Sequence, residues 1–244
     1  MQVMIFAAGL GTRLKPITDK MPKALVPVAG KPLLQHVIEK LADSCADKSQ
    51  LTIVVNVHHF ADQIRHYLAQ NNNFGLNILI SDETEKLLET GGGIKKAAPL
   101  FRSSEPILIH NVDILSNIAL DEFYAEGREN AATLLVSNRE STRGLYFDDD
   151  DNLVGWENFK TGEVKGRKTA EDGHTYRHYA FSGIHILSPR LFKYFDEYPD
   201  RFGIIDFYLS VCQKEKVKGI VKNDLRLLDV GKLESLTEAE KFIR

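Results

Sequence analysis

Gly9, Gly11, Arg13 and Lys23 are the residues whose types and spacing first promise chemistry in this chain. They follow the apolar run Val3-Met4-Ile5-Phe6-Ala7-Ala8, so a buried strand over residues 3–8 is expected to break into a tight glycine turn. Backbone N–H groups of such a turn, here those of Ala7, Ala8, Gly9, Gly11 and Thr12, converge on an anion. Arg13 adds a planar fork suited to bidentate phosphate contact, and Lys23 adds a compact positive charge. The set suits a nucleoside triphosphate. It is neither a dinucleotide fingerprint nor a Walker loop, because no third glycine follows Gly11 in register and no Gly-Lys-Ser/Thr follows.

Two aspartates stand where a hard cation would be held through oxygen. Asp113 follows the apolar run Ile107-Leu108-Ile109-His110-Asn111, and Asp229 follows Leu227-Leu228 with Gly231 close behind to let the chain turn. Together they can share one or two magnesium ions. Glu89-Thr90-Gly91-Gly92-Gly93 is the other unusual segment. Each glycine in a helix interior costs roughly 1 kcal/mol relative to alanine, so the run needs a reason. Close approach of a flat base or ribose is one reason, and a bare flexible turn is the other. The acidic run Asp148–151 reads as a solvated turn. Adjacent His58 and His59 cannot form a zinc pair on one helix face, and they read with His174, His178 and His185 as structural or surface groups.

These residues need a scaffold that brings strand ends together. Helical spacing is expected over residues 32–42, 61–70, 94–100, 204–215 and 233–243, with strands over 51–57, 76–81, 106–111, 132–138, 181–187 and 218–222. Residues 145–156 read as a hairpin with an acidic tip, and 226–231 as a last extended segment. Strand and helix alternate through the first half, which calls for parallel strands covered on both faces. In such a sheet, ligands collect beyond the carboxyl ends of the strands, where Gly9 and Asp113 would sit.

Composition narrows the classes. The formal charge of −3 leaves no overall basic field for a nucleic-acid backbone. Two cysteines, Cys45 and Cys212, lie far apart without metal-ligand spacing, so neither a disulfide framework nor a zinc site is expected. No run approaches the ~18 apolar residues of a spanning helix, and a cytoplasmic setting is expected, with no membrane partner.

The order Ala-Ala-Gly, one residue, Gly-Thr-Arg, then Pro22-Lys23 resembles the signature of the sugar-phosphate nucleotidylyltransferases. The resemblance runs on through Val26-Pro27-Val28-Ala29-Gly30-Lys31-Pro32-Leu33 and Phe181-Ser182-Gly183-Ile184-His185. It implies a Rossmann-like α/β fold, a mixed and mainly parallel sheet flanked by helices, in one domain over residues 1–244. Residues 1–115 would hold the nucleotide and 116–244 the sugar phosphate. It further implies a nucleoside triphosphate and a sugar 1-phosphate as substrates, Mg²⁺ as cofactor, and an oligomeric state the sequence leaves open. By that resemblance Arg13, Lys23 and Asp113 are catalytic, and Asp113 and Asp229 hold the metal. Ala7, Ala8, Gly9, Gly11, Thr12, Arg13, Thr90, Gly91, Gly92 and Asn111 bind the nucleotide, and Glu157 and Gly183 the sugar.

Glu-Thr-Gly-Gly-Gly-Ile is similar to the version in N-acetylmuramate 1-phosphate uridylyltransferases, a cell-wall activity. Guanylyltransferases for mannose or heptose phosphates are the alternative, and a noncatalytic nucleotide-sugar-binding subunit is the alternative of another class. Two departures stand out. Val112 replaces the usual glycine before the metal aspartate, and Trp156-Glu157-Asn158 stands where the family has Glu-Lys-Pro.

Overall fold

The computed structural model describes residues 1–171 and 173–243. Its first half runs β1 (Gln2–Phe6), the two-residue strands β2 (Pro27–Val28) and β3 (Lys31–Pro32), α1 (Leu33–Asp43), β4 (Thr52–Val57), α2 (Ala61–Gln70), β5 (Asn77–Asp82), α3 (Glu89–Ala97) and β6 (Ile107–Asn111). The second half runs β7 (Ile114–Ser116), α4 (Leu120–Gly127), β8 (Ala132–Ser137), β9 (Arg143–Phe147), β10 (Leu153–Asn158), β11 (Glu163–Gly166) and β12 (Arg177–Leu187). A 3₁₀ stretch over Pro189–Glu197, α5 (Ile204–Val211), β13 (Val217–Val221), β14 (Leu227–Asp229) and α6 (Leu233–Ile243) complete it.

The expected α/β sheet is present and mixed. β6, β1, β4 and β5 lie side by side and parallel, as strands with apolar residues on both faces must when helices cover them. Side chains alternate across β1. Val3 and Ile5 join the core under α1 and α2, while Met4 joins the core under α3 and α5. β12 is the seam between halves. Ile186 pairs with Leu108 of β6 on one edge and with Thr133 of β8 on the other, both antiparallel. β9, β10 and β11 continue as an antiparallel meander beyond it.

Three boundaries differ from the sequence reading for physical reasons. β1 stops at Phe6 instead of reaching residue 8, because the N–H groups of Ala7 and Ala8 turn to the side-chain oxygen of Asn56. α3 starts at Glu89 and takes all three glycines inside it, where the pattern alone marked a helix from Ile94. β12 begins at Arg177, earlier than expected, because its first residues pair with β9. Two buried histidines lock the sheet. His185 Nδ1 is hydrogen-bonded to the Tyr208 hydroxyl at 2.7 Å, and burial holds its imidazole down at about 3. His110 donates through Nδ1 to the Asn111 carbonyl, and burial depresses it to about 4. No helix among the described residues is long and apolar enough to cross a membrane.

Candidate active site

The parallel register sets Phe6 beside Asn56 on one side and Asn111 on the other, so three strand ends open at one place. The glycine turn leaves β1 there. Gly11 adopts φ +64°, and a side chain at that position would strike Thr18 and Lys23, so only glycine fits. Thr18 is buried and donates its hydroxyl to the Gly11 carbonyl at 2.8 Å, which pins the turn. Arg13 projects from the turn with its side chain 57% exposed.

Below the turn lies a buried polar pair that the sequence reading missed. Asn56 Oδ1 accepts from Ala7 N at 2.7 Å and from Ala8 N at 3.2 Å, and its Nδ2 donates to Glu83 Oε1 at 2.8 Å. Glu83 is fully buried, and its other oxygen accepts from Leu88 N. Burial pushes its carboxyl above the ordinary range against these bonds. The signal was present in the sequence, since Asn56 interrupts the run Ile53-Val54-Val55 where an unpartnered amide would be costly. A consequence corrects the expected role of Ala7 and Ala8. Their N–H groups are taken by Asn56, whereas those from Gly9 to Arg13 have no hydrogen-bond partner among the described residues.

Two openings flank this junction. One is a cavity of about 240 Å³ lined by Phe6, Ala8, Gly9, Leu87, Thr90 and Asn111 among others. Its mainly apolar wall suits a flat ring with a few polar contacts. The other is an open cleft of about 1310 Å³, walled by the second half and reached by Arg13 from the first, with Arg139, Trp156, Lys165, Asp206 and Asp229 in its lining. Lys23 and Asp113 edge the smaller cavity, and Arg13 and Asp229 edge the larger.

Strand pairing joins the two acids. β14 pairs antiparallel with β7, which puts Asp229 opposite Ile114, and Val230 N donates to the Asp113 carbonyl at 2.8 Å. Lys23, buried, forms a direct ion pair with Asp113. Arg13 approaches Asp229 at 4.0 Å. Gly231 permits this closeness, because a Cβ there would lie 2.6 Å from Asp229 Oδ1 and 2.7 Å from Arg13. Burial first, then the Asp113 charge, raises the Asp229 carboxyl above its ordinary value, although Lys23, Arg13 and Arg139 pull it the other way. Two carboxylates crowded together disfavour the state in which both are ionised.

Gly183, at φ +80°, sits where β12 shifts register, and its missing side chain leaves room for Asn111 Nδ2, 2.6 Å from where a Cβ would be. It therefore borders the site through Asn111. Thr90 lines the smaller cavity, and its hydroxyl accepts from Ile204 N at 2.9 Å.

Gly91 and Gly92 do not meet the cavity. Both donate N–H to the Phe202 carbonyl, and Cβ atoms there would lie 2.3 Å from the Phe202 ring and 2.0 Å from the Asp200 carbonyl oxygen. The glycines admit the chain's own segment 200–204, not a base. Glu157 is likewise displaced from its expected place. Along β10, Trp156 and Asn158 face the open cleft, so period-two alternation turns Glu157 away. There it accepts from the Tyr146 hydroxyl and lies 3.5 Å from Lys168.

The donor set fits a magnesium ion. Asp113 and Asp229 offer oxygen only, and a cation between them would relieve the repulsion that raises Asp229. Among the described residues no third metal-ligating side chain joins them, so phosphate oxygens and water would supply the remaining ligands.

With this geometry in place, comparison with known proteins becomes informative. The family profile described as nucleotidyl transferase matches residues 2–244. An N-acetylmuramate alpha-1-phosphate uridylyltransferase from Caulobacter vibrioides is 31% identical over 97% of this chain and 94% of its own length. A mannose-1-phosphate guanyltransferase from Gibberella zeae is 32% identical over 57% of this chain and 38% of its own. The crystal structure of HddC from Yersinia pseudotuberculosis complexed with GMP-PN shares the fold, at a TM-score of 0.75 and 24% identity over 100% of this chain and 99% of that one.

Proposed function

The chain belongs to the nucleotidyl transferase family, and from that premise we propose that it joins UTP to an amino-sugar 1-phosphate such as N-acetylmuramate 1-phosphate, releasing pyrophosphate. The coarser activity, sugar-1-phosphate nucleotidylyl transfer, follows from family and relatives together. The observation that carries the reading is the clustering of Lys23 and Asp113, which edge the small apolar cavity, with Arg13 and Asp229, which edge the wide cleft, joined by the Val230–Asp113 backbone bond. Similarity to the uridylyltransferase over nearly the whole of both chains supports the finer assignment.

The nucleobase and ribose occupy the smaller cavity beside Thr90 and Asn111, with the triphosphate running along the free N–H groups of residues 9–13. Arg13 takes the departing pyrophosphate, and Lys23 neutralises charge at the α-phosphorus. Asp113 and Asp229 would hold Mg²⁺, which when bound supplies charge stabilisation at the phosphates. The sugar phosphate enters from the wide cleft, already a charged nucleophile, so no general base is required and catalysis is positioning and electrostatics. Residues 1–115 then serve mainly the nucleotide and 116–244 the sugar phosphate, with Asp229 crossing between them. A cytoplasmic setting supplies both substrates.

Pyrophosphate release in Mg²⁺, measured over the four nucleoside triphosphates against N-acetylmuramate, mannose, heptose and glucose 1-phosphates, tests the reading. We expect turnover confined to UTP with the muramate substrate. Turnover confined to GTP with mannose or heptose phosphate would replace the finer assignment, and nucleotide binding without turnover on any acceptor would overturn the catalytic reading.

A further inference from the structure

We propose that Arg139 binds the phosphate of the incoming sugar 1-phosphate and presents it to the α-phosphorus. The inference rests on the nucleotidylyl-transfer reading and deepens it at one residue. An acceptor phosphate approaching Asp113, Asp229 and a triphosphate moves against negative charge, so a cation must meet it on the sugar side. The cleft-lining residues of β10, Trp156 and Asn158, bring no cation there.

The cations around the junction can be sorted by their partners. Lys23 is committed to Asp113. Arg13 belongs to the nucleotide turn and faces Asp229 at 4.0 Å. Lys165 is held by Asp206 at 2.7 Å and by Glu163 at 3.6 Å, with its ammonium 5.1 Å from the centre of the Trp156 ring. Arg139 makes no ion pair within 4.0 Å among the described residues, although it lines the wide cleft together with Asp229.

Its guanidinium is nonetheless fixed. Nη2 donates to the Phe181 carbonyl at 2.8 Å, on the stretch of β12 that leads to Gly183 and Asn111. A guanidinium anchored by one N–H keeps its other donors for a phosphate. Arg143 and Lys232 also line the cleft wall, and among the described residues neither side chain is anchored on β12 beside Gly183 as Arg139 is. If pyrophosphate leaves beside Arg13 and attack is in line, the nucleophile enters through the cleft that Arg139 lines.

Arg139→Gln, Arg139→Lys and Arg143→Gln separate this from a diffuse positive field. A charge-assisted hydrogen bond corresponds to roughly a tenfold to hundredfold change in affinity. We expect Arg139→Gln to raise KM for the sugar 1-phosphate by about that factor while KM for the nucleoside triphosphate stays within about twofold. Arg139→Lys should recover part of the loss, and Arg143→Gln should lose far less. An unchanged sugar-phosphate KM in Arg139→Gln, or an equal loss in Arg143→Gln, would overturn the proposal. A second readout is independent of turnover. Inorganic phosphate is titrated calorimetrically into enzyme loaded with Mg²⁺ and a non-hydrolysable nucleoside triphosphate analogue. Binding by the wild type that Arg139→Gln loses supports the subsite, and equal binding by both overturns it. If no acceptor on the substrate grid reacts, the reaction reading falls, and this titration still judges the subsite.

Discussion

Gly92→Ala separates two explanations of a glycine run, one in which it admits a ligand and one in which it admits the chain itself. On propensity alone the change should stabilise a helix by about 1 kcal/mol, because Gly92 lies inside α3 with helical backbone. The packing says otherwise. The new Cβ would lie 2.0 Å from the Asp200 carbonyl oxygen, a backbone atom that cannot rotate away as a side chain can. Relief requires segment 200–204 to lift off the helix. That stretches the bonds from Gly91 N and Gly92 N to the Phe202 carbonyl, at 2.9 and 3.2 Å, and unseats the buried Phe202 ring. Two backbone hydrogen bonds are worth about 1 kcal/mol each and overpacking about 1–3, so after the propensity gain the net cost is about 2–4 kcal/mol.

For a chain of this size the cost corresponds to a fall in Tm of roughly 5–15 °C, measurable by calorimetry or circular dichroism. Nucleotide affinity should fall as well, because the same segment holds Thr90 through Ile204 and Glu89 through Arg201 at the cavity edge. Gly9→Ala is the complementary control. A Cβ there meets nothing within 4 Å, so Tm should hold within about 1 °C. Nucleotide affinity should drop all the same, if the triphosphate lies against that turn. A Gly92→Ala protein as stable as the wild type but poor in nucleotide binding would refute the reasoning and return the glycines to the ligand.

Two further outcomes follow from titrating groups. Asp229 is raised by burial and by Asp113, so turnover should fall on the acid side at a pH above that of an ordinary aspartate. Cation binding favours the ionised form, so raising Mg²⁺ should move the acid limb to lower pH, and a limb indifferent to Mg²⁺ would count against the metal role. His185 and His110 are neutral in the fold, at about 3 and about 4, whereas unfolded chains take up protons near 6.5. The unfolded state therefore binds more protons below 6.5, and stability declines as pH falls through the window from there toward 4. The two together account for a loss of about 4 kcal/mol between pH 7 and pH 5. Urea unfolding at both pH values measures it. His185→Leu should remove about half of the pH dependence whatever it does to absolute stability, and an unaltered dependence would contradict the assignment.

Local pattern was enough wherever one strand or one turn decided the outcome. The apolar runs of β1, β4 and β6 and the glycines after β1 placed the turn at the strand ends. The acids were legible too, each following an apolar run, but their meeting depends on β14 pairing with β7, which no local pattern shows. Glu157 marks the limit of such reading. Whether Trp156 or Glu157 faces the cleft is decided by the register of β10 against β9, and that register shifts between Leu153 and Gly155. Gly155 is required there because the Arg167 carbonyl packs 2.0 Å from where its Cβ would stand. One residue of slip exchanges the two faces of a strand, so the bulge, and not the motif, decides which side chain faces the cleft.

The glycine run and the Asn56–Glu83 pair extend the same logic. Three glycines state that something approaches closely without saying whether it is ligand or chain, and the chain answers, with Phe202 and Asp200 against Gly91 and Gly92 and with Glu83 and Asn56 against Gly93. Asn56 secures Ala7 and Ala8 beneath the turn, which leaves the N–H groups of Gly9 through Arg13 without a partner among the described residues. The run of donors left for a phosphate under the proposed function is therefore shorter than the motif, and begins only where the buried amide stops supplying an acceptor.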